Sequence, residues 1–257
     1  MLMIESVLRA AEAYLQGKKV RDLVVGISLL AVELDDGQVG VSYVLREDLP
    51  AGCSIFPFGR RVIGRPAGEI AAWARSGRDD LQRGIGMAVL TAASRSQPLT
   101  DCQTVDRPFG VLVQPDDVVG MIGLIAPVAK QLGPRAKQLY VLDRGISLSG
   151  DARGQVVPME EQSRLLPQCD VVVLSGTTMI NGSIDSLLEL CSGAREIVMI
   201  GASTPMFPAA FQGTNVTVLA GSWWKAERKA DIFRSISLAC GISELGAYAI
   251  KKTVPVA

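Results

Sequence analysis

The residues whose types and spacing could do chemistry sit in two short loops. Ser175 to Ser183 reads SGTTMINGS and follows the apolar run CDVVVL. Gly201 to Pro205 reads GASTP and follows IVMI. The first loop supplies Gly176, Thr177, Thr178 and Asn181. The second supplies Gly201, Ser203 and Thr204. Hydroxyls and a side-chain amide both donate and accept hydrogen bonds, and glycine lets backbone approach a ligand closely. Ile184, Leu187, Leu188 and Cys191 then share one helical face, with Ser183 expected as the N-cap. A helix start offers N–H groups and the positive end of the dipole, so it favours an anion. Thr, Asn and Ser also cap helices and build turns without any ligand. Two such loops together point to a polar pocket for a carboxylate, a phosphate or a metal chelate.

A third position lies upstream. Gly123 follows the run VVGMI, and Asp143 ends LYVLD twenty residues later. An acid at that distance from a glycine turn can accept ribose hydroxyls in a nucleotide-binding unit. GMIGLIAP is not a full GxGxxG, however, and Pro127 stiffens the helix start. An adenosine-type ligand and simple tight packing at Gly123 both remain open. Asp151, Glu160 and Glu161 read equally as a solvated loop, Arg60 and Arg61 as a solvated pair. Trp223 and Trp224 fit either a cleft wall or domain packing.

Composition narrows the chemistry further. The 257 residues contain no histidine. His-based triads, HExxH zinc sites and His-ligated metal centres are therefore excluded. The five cysteines, Cys53, Cys102, Cys169, Cys191 and Cys240, are widely spaced with no CxxC pair, as expected of reduced thiols. Lysine plus arginine balances aspartate plus glutamate at 26 each, which argues against a nucleic-acid platform. Mean hydropathy is +0.28. Yet the most apolar run, Val118 to Ala129, is too short to span a bilayer, so no membrane insertion is expected. With no signal peptide pattern visible, the expected location is cytoplasmic.

The elements that must position these loops follow from periodicity. Ile4, Val7, Leu8, Ala11 and Leu15 predict an opening helix. Val39, Val41, Tyr43 and Leu45 alternate after the turn at Asp35 to Gly37, predicting an antiparallel hairpin. GRPAGEIAAWARS predicts a short helix, and Leu81, Ile85, Ala88, Val89 and Ala92 a longer one. A polar connector, SQPLTDCQTVDRPFG, then separates residues 1–105 from 106–257. Beyond it, apolar runs at 118–122, 139–143, 171–174, 197–200 and 216–219 alternate with helical segments. That rhythm predicts parallel strands buried on both faces, in a Rossmann-like sheet. The fold class is α/β, an α+β first domain followed by a parallel-sheet domain.

CDVVVLSGTTMINGSIDSLLEL with IVMIGASTPMFP resembles the heavy-metal chelation family of Rossmann-like domains of unknown function. DVVGMIGLIAPVAKQL is similar to that family's first strand and helix. VRDLVVGISLLAVELDDGQVGVSYVL and GIGMAVLTAAS resemble the enolase N-terminal-like domain that precedes it. The resemblance covers nearly the whole chain. It implies a site between the two domains, with Gly123, Thr177, Thr178, Asn181, Ser203 and Thr204 carried over by position. It also implies a role in handling heavy metals or their chelates. Thr91 departs from the pattern, where asparagine is expected.

A chain without histidine or clustered cysteines offers few ligands to a bare soft metal. The expected cargo is thus a small anionic molecule or a transition metal already held by an organic chelator. Two other readings stand beside it. One is a nucleotide- or S-adenosylmethionine-dependent enzyme resting on Gly123 and Asp143. The other is a non-catalytic delivery partner of a metal transport system. The oligomeric state is open, with a homo-oligomer among the options.

Overall fold

The computed structural model describes residues 1–49, 56–144 and 156–256. Cys53 and Asp151 lie outside these described residues. Helix α1 (Met3–Leu15) buries Met3, Ile4, Val7, Ala11 and Leu15 along one stripe. Strands β1 (Val20–Val25), β2 (Leu29–Leu34) and β3 (Val39–Tyr43) form an antiparallel sheet in that order. The expected hairpin is β2–β3, closed where the Gly37 N–H donates to the Leu34 carbonyl at 2.9 Å. VRDLVV adds a third strand that alternation did not reveal. Its charged residues serve ion pairs at the sheet edge: Asp22 with Lys229 at 2.5 Å and Arg21 with Glu33 at 3.5 Å.

Short helices α2 (Gly59–Val62), α3 (Ala67–Ala71) and α4 (Trp73–Ser76) lead to α5 (Asp80–Ser94). The segment expected as one short helix is thus two, α3 and α4. Asp79 caps α5 by accepting the Gln82 N–H at 2.8 Å.

The second half contains α6 (Ala126–Leu132), α7 (Gln162–Leu165), α8 (Ile184–Leu190) and α9 (Lys229–Ser237). Helices α6, α7 and α8 flank strands β4 (Val118–Ile122), β5 (Gln138–Leu142), β6 (Val156–Val157), β7 (Val171–Ser175), β8 (Glu196–Ile200), β9 (Val218–Trp224) and β10 (Ala249–Pro255), whereas α9 packs on β1 and β2 of the small sheet. The seven strands stand in the order β10-β9-β8-β7-β4-β5-β6. All pairs are parallel except β9–β10. The VVVL of β7 is wholly buried, as a two-sided sheet requires. The fifth run begins at Val218 rather than 216 and continues through both tryptophans. Trp223 and Trp224 therefore lie inside the strand, at 4% and 1% exposure. The unexpected edge strand β10 carries Lys251 and Lys252, which break its apolar pattern.

The topology sets where a ligand could sit. From β4 the chain moves one way to β5 and β6, then crosses to β7, β8 and β9 on the other side. The switch point lies between β4 and β7, and such crevices open beyond the carboxyl ends of the strands. The small sheet packs over that end of the large one. The Ser42 and Ser203 hydroxyls meet at 3.0 Å, and Trp224 clusters with Leu29, Ala31 and Val41. Among the described residues, no helix is long and apolar enough to cross a membrane.

Candidate functional site

A cavity of about 490 Å³ opens at the switch point. Its large-sheet wall carries Ile122, Gly123, Leu142, Asp143, Thr177, Thr178 and Asn181. Its opposite wall carries Ser28 and residues 43–47, at the end of β3 and just beyond it. Arg144, Met159, Gln162, Ser183 and Leu187 complete the lining. This volume falls within the range of small-molecule sites.

The glycine after β4 is fixed by two constraints. Gly123 has φ +84°, and a Cβ there would lie 3.1 Å from Ser175 Cβ. Its N–H donates to the Leu142 carbonyl at 2.8 Å, and the next N–H, of Leu124, donates to Asp143 Oδ2 at 2.6 Å. Asp143 thus ties the β4 and β5 loops together while facing the cavity.

The SGTTMINGS loop is folded on itself. Ser175 caps a 3₁₀ turn over Gly176–Met179 by accepting the Thr177 N–H. The Ser175 and Thr177 hydroxyls meet at 2.8 Å, and the Thr178 hydroxyl donates to the Ser175 carbonyl at 2.8 Å. The Thr177 carbonyl accepts the N–H groups of Ile180 and Asn181. Asn181 Oδ1 accepts both the N–H and the hydroxyl of Ser183. One expectation changes here. Ser183 stands at the N-cap position of α8, but its backbone is already helical and its hydroxyl serves Asn181 instead of the helix. The N–H groups of Thr177, Ile180, Asn181 and Ser183 are used inside the loop. The Asn181 Nδ2 group has no partner among the described residues.

The GASTP loop lies elsewhere. Ser203 and Thr204 are each 1% exposed and do not line the cavity. Ser203 Oγ accepts the Tyr43 N–H at 3.0 Å besides meeting Ser42. Gly176 rests directly on this loop, because a Cβ there would lie 2.6 Å from the Thr204 nitrogen. Gly201 donates its N–H to the Ala220 carbonyl at 3.0 Å. The structure therefore brings Gly123, Asp143, Thr177, Thr178 and Asn181 together on one cavity. It sets Gly176, Gly201, Ser203 and Thr204 beneath it.

The remaining polar residues fall away from the site. Arg60 and Arg61 are exposed on α2, and Arg61 stacks on Phe58. Glu161 pairs with Arg164 at 2.5 Å. Trp223 donates Nε1–H to Ser94 Oγ at 3.1 Å, deep in the packing. Thr91 is buried and donates to the Ala88 carbonyl. Sequence reasoning passed over Ser28, Tyr43, Arg46, Glu47, Arg144 and Gln162. Arg144 follows Asp143 at a strand's carboxyl end, where the strand-end rule points. Tyr43 belongs to the Val39–Leu45 alternation, which marks a strand and no site.

The donor set can be tested against a bare metal ion. Among the described residues, no group of three or more Cys, Asp or Glu side chains could hold one. Burial pushes the Cys169 thiol up to about 11 and the Cys191 thiol up to about 12, away from the thiolate form that binds metal. The cavity offers hydroxyls, amides and both signs of charge, spread over far more space than metal–ligand bonds of about 2.0–2.6 Å enclose. These residues do not fit a naked heavy-metal ion.

Comparison with known proteins agrees with the architecture. An uncharacterized protein of Methanocaldococcus jannaschii is 29% identical over 147 residues, 56% of this chain and 55% of its own length. The chain thus spans about half the length of that relative. A crystal structure from Pyrococcus horikoshii, a protein of unknown function, superimposes with TM-score 0.78 at 21% identity, covering 99% of this chain and 100% of that one. Another, from Desulfitobacterium hafniense, gives 0.76 at 18%, covering 98% of each. Both are DUF364 proteins, and at these identities they show the fold alone. Residues 8–94 match the DUF4213 family and residues 108–255 the DUF364 family, both described as "Putative heavy-metal chelation". With more than half its length matched, the chain belongs to the DUF364 family.

Proposed function

We propose that this protein binds a small anionic organic molecule, or a transition metal already held by one, in the switch-point cavity. The observation that carries this reading is the cavity's chemistry. A space of about 490 Å³ is lined by Ser28, Tyr43, Thr177, Asn181, Arg46 and Asp143, not by a cluster of soft ligands. The family's chelation label and the misfit of a bare ion are reconciled if the metal arrives inside its chelator. On this reading residues 1–105, enolase N-terminal-like, and residues 106–257 are two domains that hold the ligand between them.

The test is native mass spectrometry of protein purified from its own host, with elemental analysis of the same sample. A bound organic species with stoichiometric transition metal is the expected result. Tight 1:1 binding of a free divalent ion by ligand-stripped protein would overturn the reading.

A second reading has one observation in its favour. Gly123 and Asp143 line the same cavity, at the ends of the first two strands of the large sheet. That is where a nucleotide-binding unit places its turn and its ribose-binding acid. Against it, Asp143 already accepts the Leu124 N–H. Saturable binding of AMP or S-adenosylmethionine, lost in Asp143→Ala, would favour this enzyme reading over the chelate.

A further inference from the structure

The cavity wall contributed by the small sheet contains a donor that the loop motifs did not announce. Tyr43, the last residue of β3, lines the cavity. Its side chain is half-buried, and its hydroxyl has no hydrogen-bond partner among the described residues. A partly desolvated hydroxyl left without a partner loses part of its hydration and gains nothing in return. Across the cavity, the Asn181 Nδ2 group is also unpartnered among the described residues. The Arg46 guanidinium, two residues beyond Val44 on the same wall, has no ion-pair partner there either. Three donors with unused hydrogens thus surround one space. Burial pushes the Tyr43 phenol above its ordinary value, so it remains a neutral donor across the physiological range.

The backbone of Tyr43 is held by a loop 160 residues later in the chain. Its N–H donates to Ser203 Oγ at 3.0 Å, and Ser203 Oγ also meets Ser42 Oγ at 3.0 Å. Ser203 is 1% exposed and does not line the cavity. The same loop supports the other wall, because Gly176 packs on the backbone of Ser203 and Thr204. One buried loop thus sets the spacing of two cavity walls.

We propose that Tyr43 is a ligand-contacting residue whose hydroxyl, with Asn181 and Arg46, binds an oxyanion of the ligand, and that Ser203 is a positioning residue acting through Tyr43. The shared chemistry is a carboxylate or a phosphate on a small molecule. The proposal rests on the reading of this cavity as a ligand site, and its test separates the two.

Calorimetric titration with citrate and with pyrophosphate, on the whole protein, distinguishes the two sources of oxyanion. Wild type is expected to bind at least one of them. Tyr43→Phe should weaken that binding about 10- to 100-fold, the range for a hydrogen bond to a charged group. Ser203→Ala should weaken it by a smaller factor. The double variant should be no weaker than Tyr43→Phe alone, because Ser203 acts only through Tyr43. Thermal melts establish that each variant is folded. If Ser203→Ala fails to fold, Ser42→Ala, which removes the hydrogen bond that orients the Ser203 hydroxyl under Tyr43, takes its place in the cycle with a smaller expected loss. Wild-type affinity in Tyr43→Phe overturns the contact while leaving the cavity reading intact. Additive losses in the double variant overturn the positioning role. Failure of wild type to bind either anion overturns the proposal together with the reading beneath it.

Discussion

Two hydroxyl-bearing loops leave the same edge of one sheet from neighbouring strands, β7 and β8, and they do different work. SGTTMINGS opens onto the cavity, with Asn181 exposed and Thr177 half-buried. GASTP is sealed, with Ser203 and Thr204 at 1% exposure. Their residue types are nearly alike, so composition did not decide between them. Topology did. The loop after β7 lies at the switch point, where neighbouring connections diverge and leave a crevice. The loop after β8 lies beneath the small sheet, where Ser42 and Tyr43 take up the Ser203 hydroxyl. The same chemistry that can grip a ligand in one place holds two sheets together in the other.

The comparison breaks most severely where the two loops touch. Gly176→Ala places a Cβ 2.6 Å from the Thr204 nitrogen and 2.7 Å from the Ser203 carbonyl carbon. Both are backbone atoms that cannot swing aside, so the loops must separate. A loss of about 2–4 kcal/mol is expected, in the range of severe overpacking. Thermal denaturation should show a melting point lower by roughly 5–15 °C at 2–4 °C per kcal/mol. An unchanged melting point would mean that the two loops do not rest on each other.

The opposite edge of the sheet supplies a control. Asp117, 4% exposed and just before β4, accepts from Arg195 at 2.7 and 3.1 Å and from the Gln114 N–H at 2.6 Å. Burial acts to raise its pKa, but the Arg195 hydrogen bonds, the Gln114 amide and the Arg195 charge outweigh it and hold the carboxyl below its ordinary value. A depressed folded-state pKa contributes stability that is present above the unfolded value and is lost as pH falls through the folded one. Stability should therefore decline as pH drops below about 4, the unperturbed carboxyl range. Asp117→Asn should cost about 1 kcal/mol at neutral pH, a modest figure because Arg195 is 41% exposed. It should also flatten the acid limb, as read by denaturant melts across pH. Ligand binding at neutral pH should be untouched. Weakened binding would mean that the two edges of the sheet are coupled.

Asn181→Ala isolates the open loop. Its Oδ1 contacts to Ser183 lie at the surface, so stability should change by no more than about 0.5–1 kcal/mol. Affinity for citrate or pyrophosphate should nonetheless fall about 5- to 10-fold, the worth of roughly one hydrogen bond. If stability falls and affinity holds, Asn181 is a turn residue only.

Much of this arrangement was legible in the sequence, and the failures have physical causes. The α/β class and four of the six strands in parallel pairs follow from runs such as VVVL and IVMI, whose two-sided burial leaves no alternation to misread. VTVL misled because Val216 and Thr217 precede the strand, which continues through Gly221 to Trp224. Strand β1 was hidden by Arg21 and Asp22, whose charges are satisfied by Glu33 and Lys229 on other elements. The strand-end rule placed Gly123, Asp143 and Thr177 on the cavity without any alignment. It could not tell that Ser203 was covered, because the cover is a strand 160 residues earlier in the chain. For the same reason Tyr43 went unmarked as a cavity residue, since only the docking of the small sheet puts it there.

The smallest expected effect bears on the sealed loop. Thr204 Oγ1 is buried with no hydrogen-bond partner among the described residues. A hydroxyl in that state costs about 1–3 kcal/mol relative to a satisfied one, whereas its methyl packs as well as any apolar group. Thr204→Val keeps the shape and removes the unsatisfied oxygen. Stability should therefore hold or rise by up to about 1 kcal/mol, and binding at the cavity should not change, since the residue does not line it. Denaturant melts and the same citrate titration read both quantities. A loss above about 1 kcal/mol would mean that the hydroxyl is satisfied after all, by a buried water bridging to the Gly176 turn. That water would make the sealed loop a polar support for the open one. The contrast would then be between one hydrated network and its exposed end, not between a site and its packing.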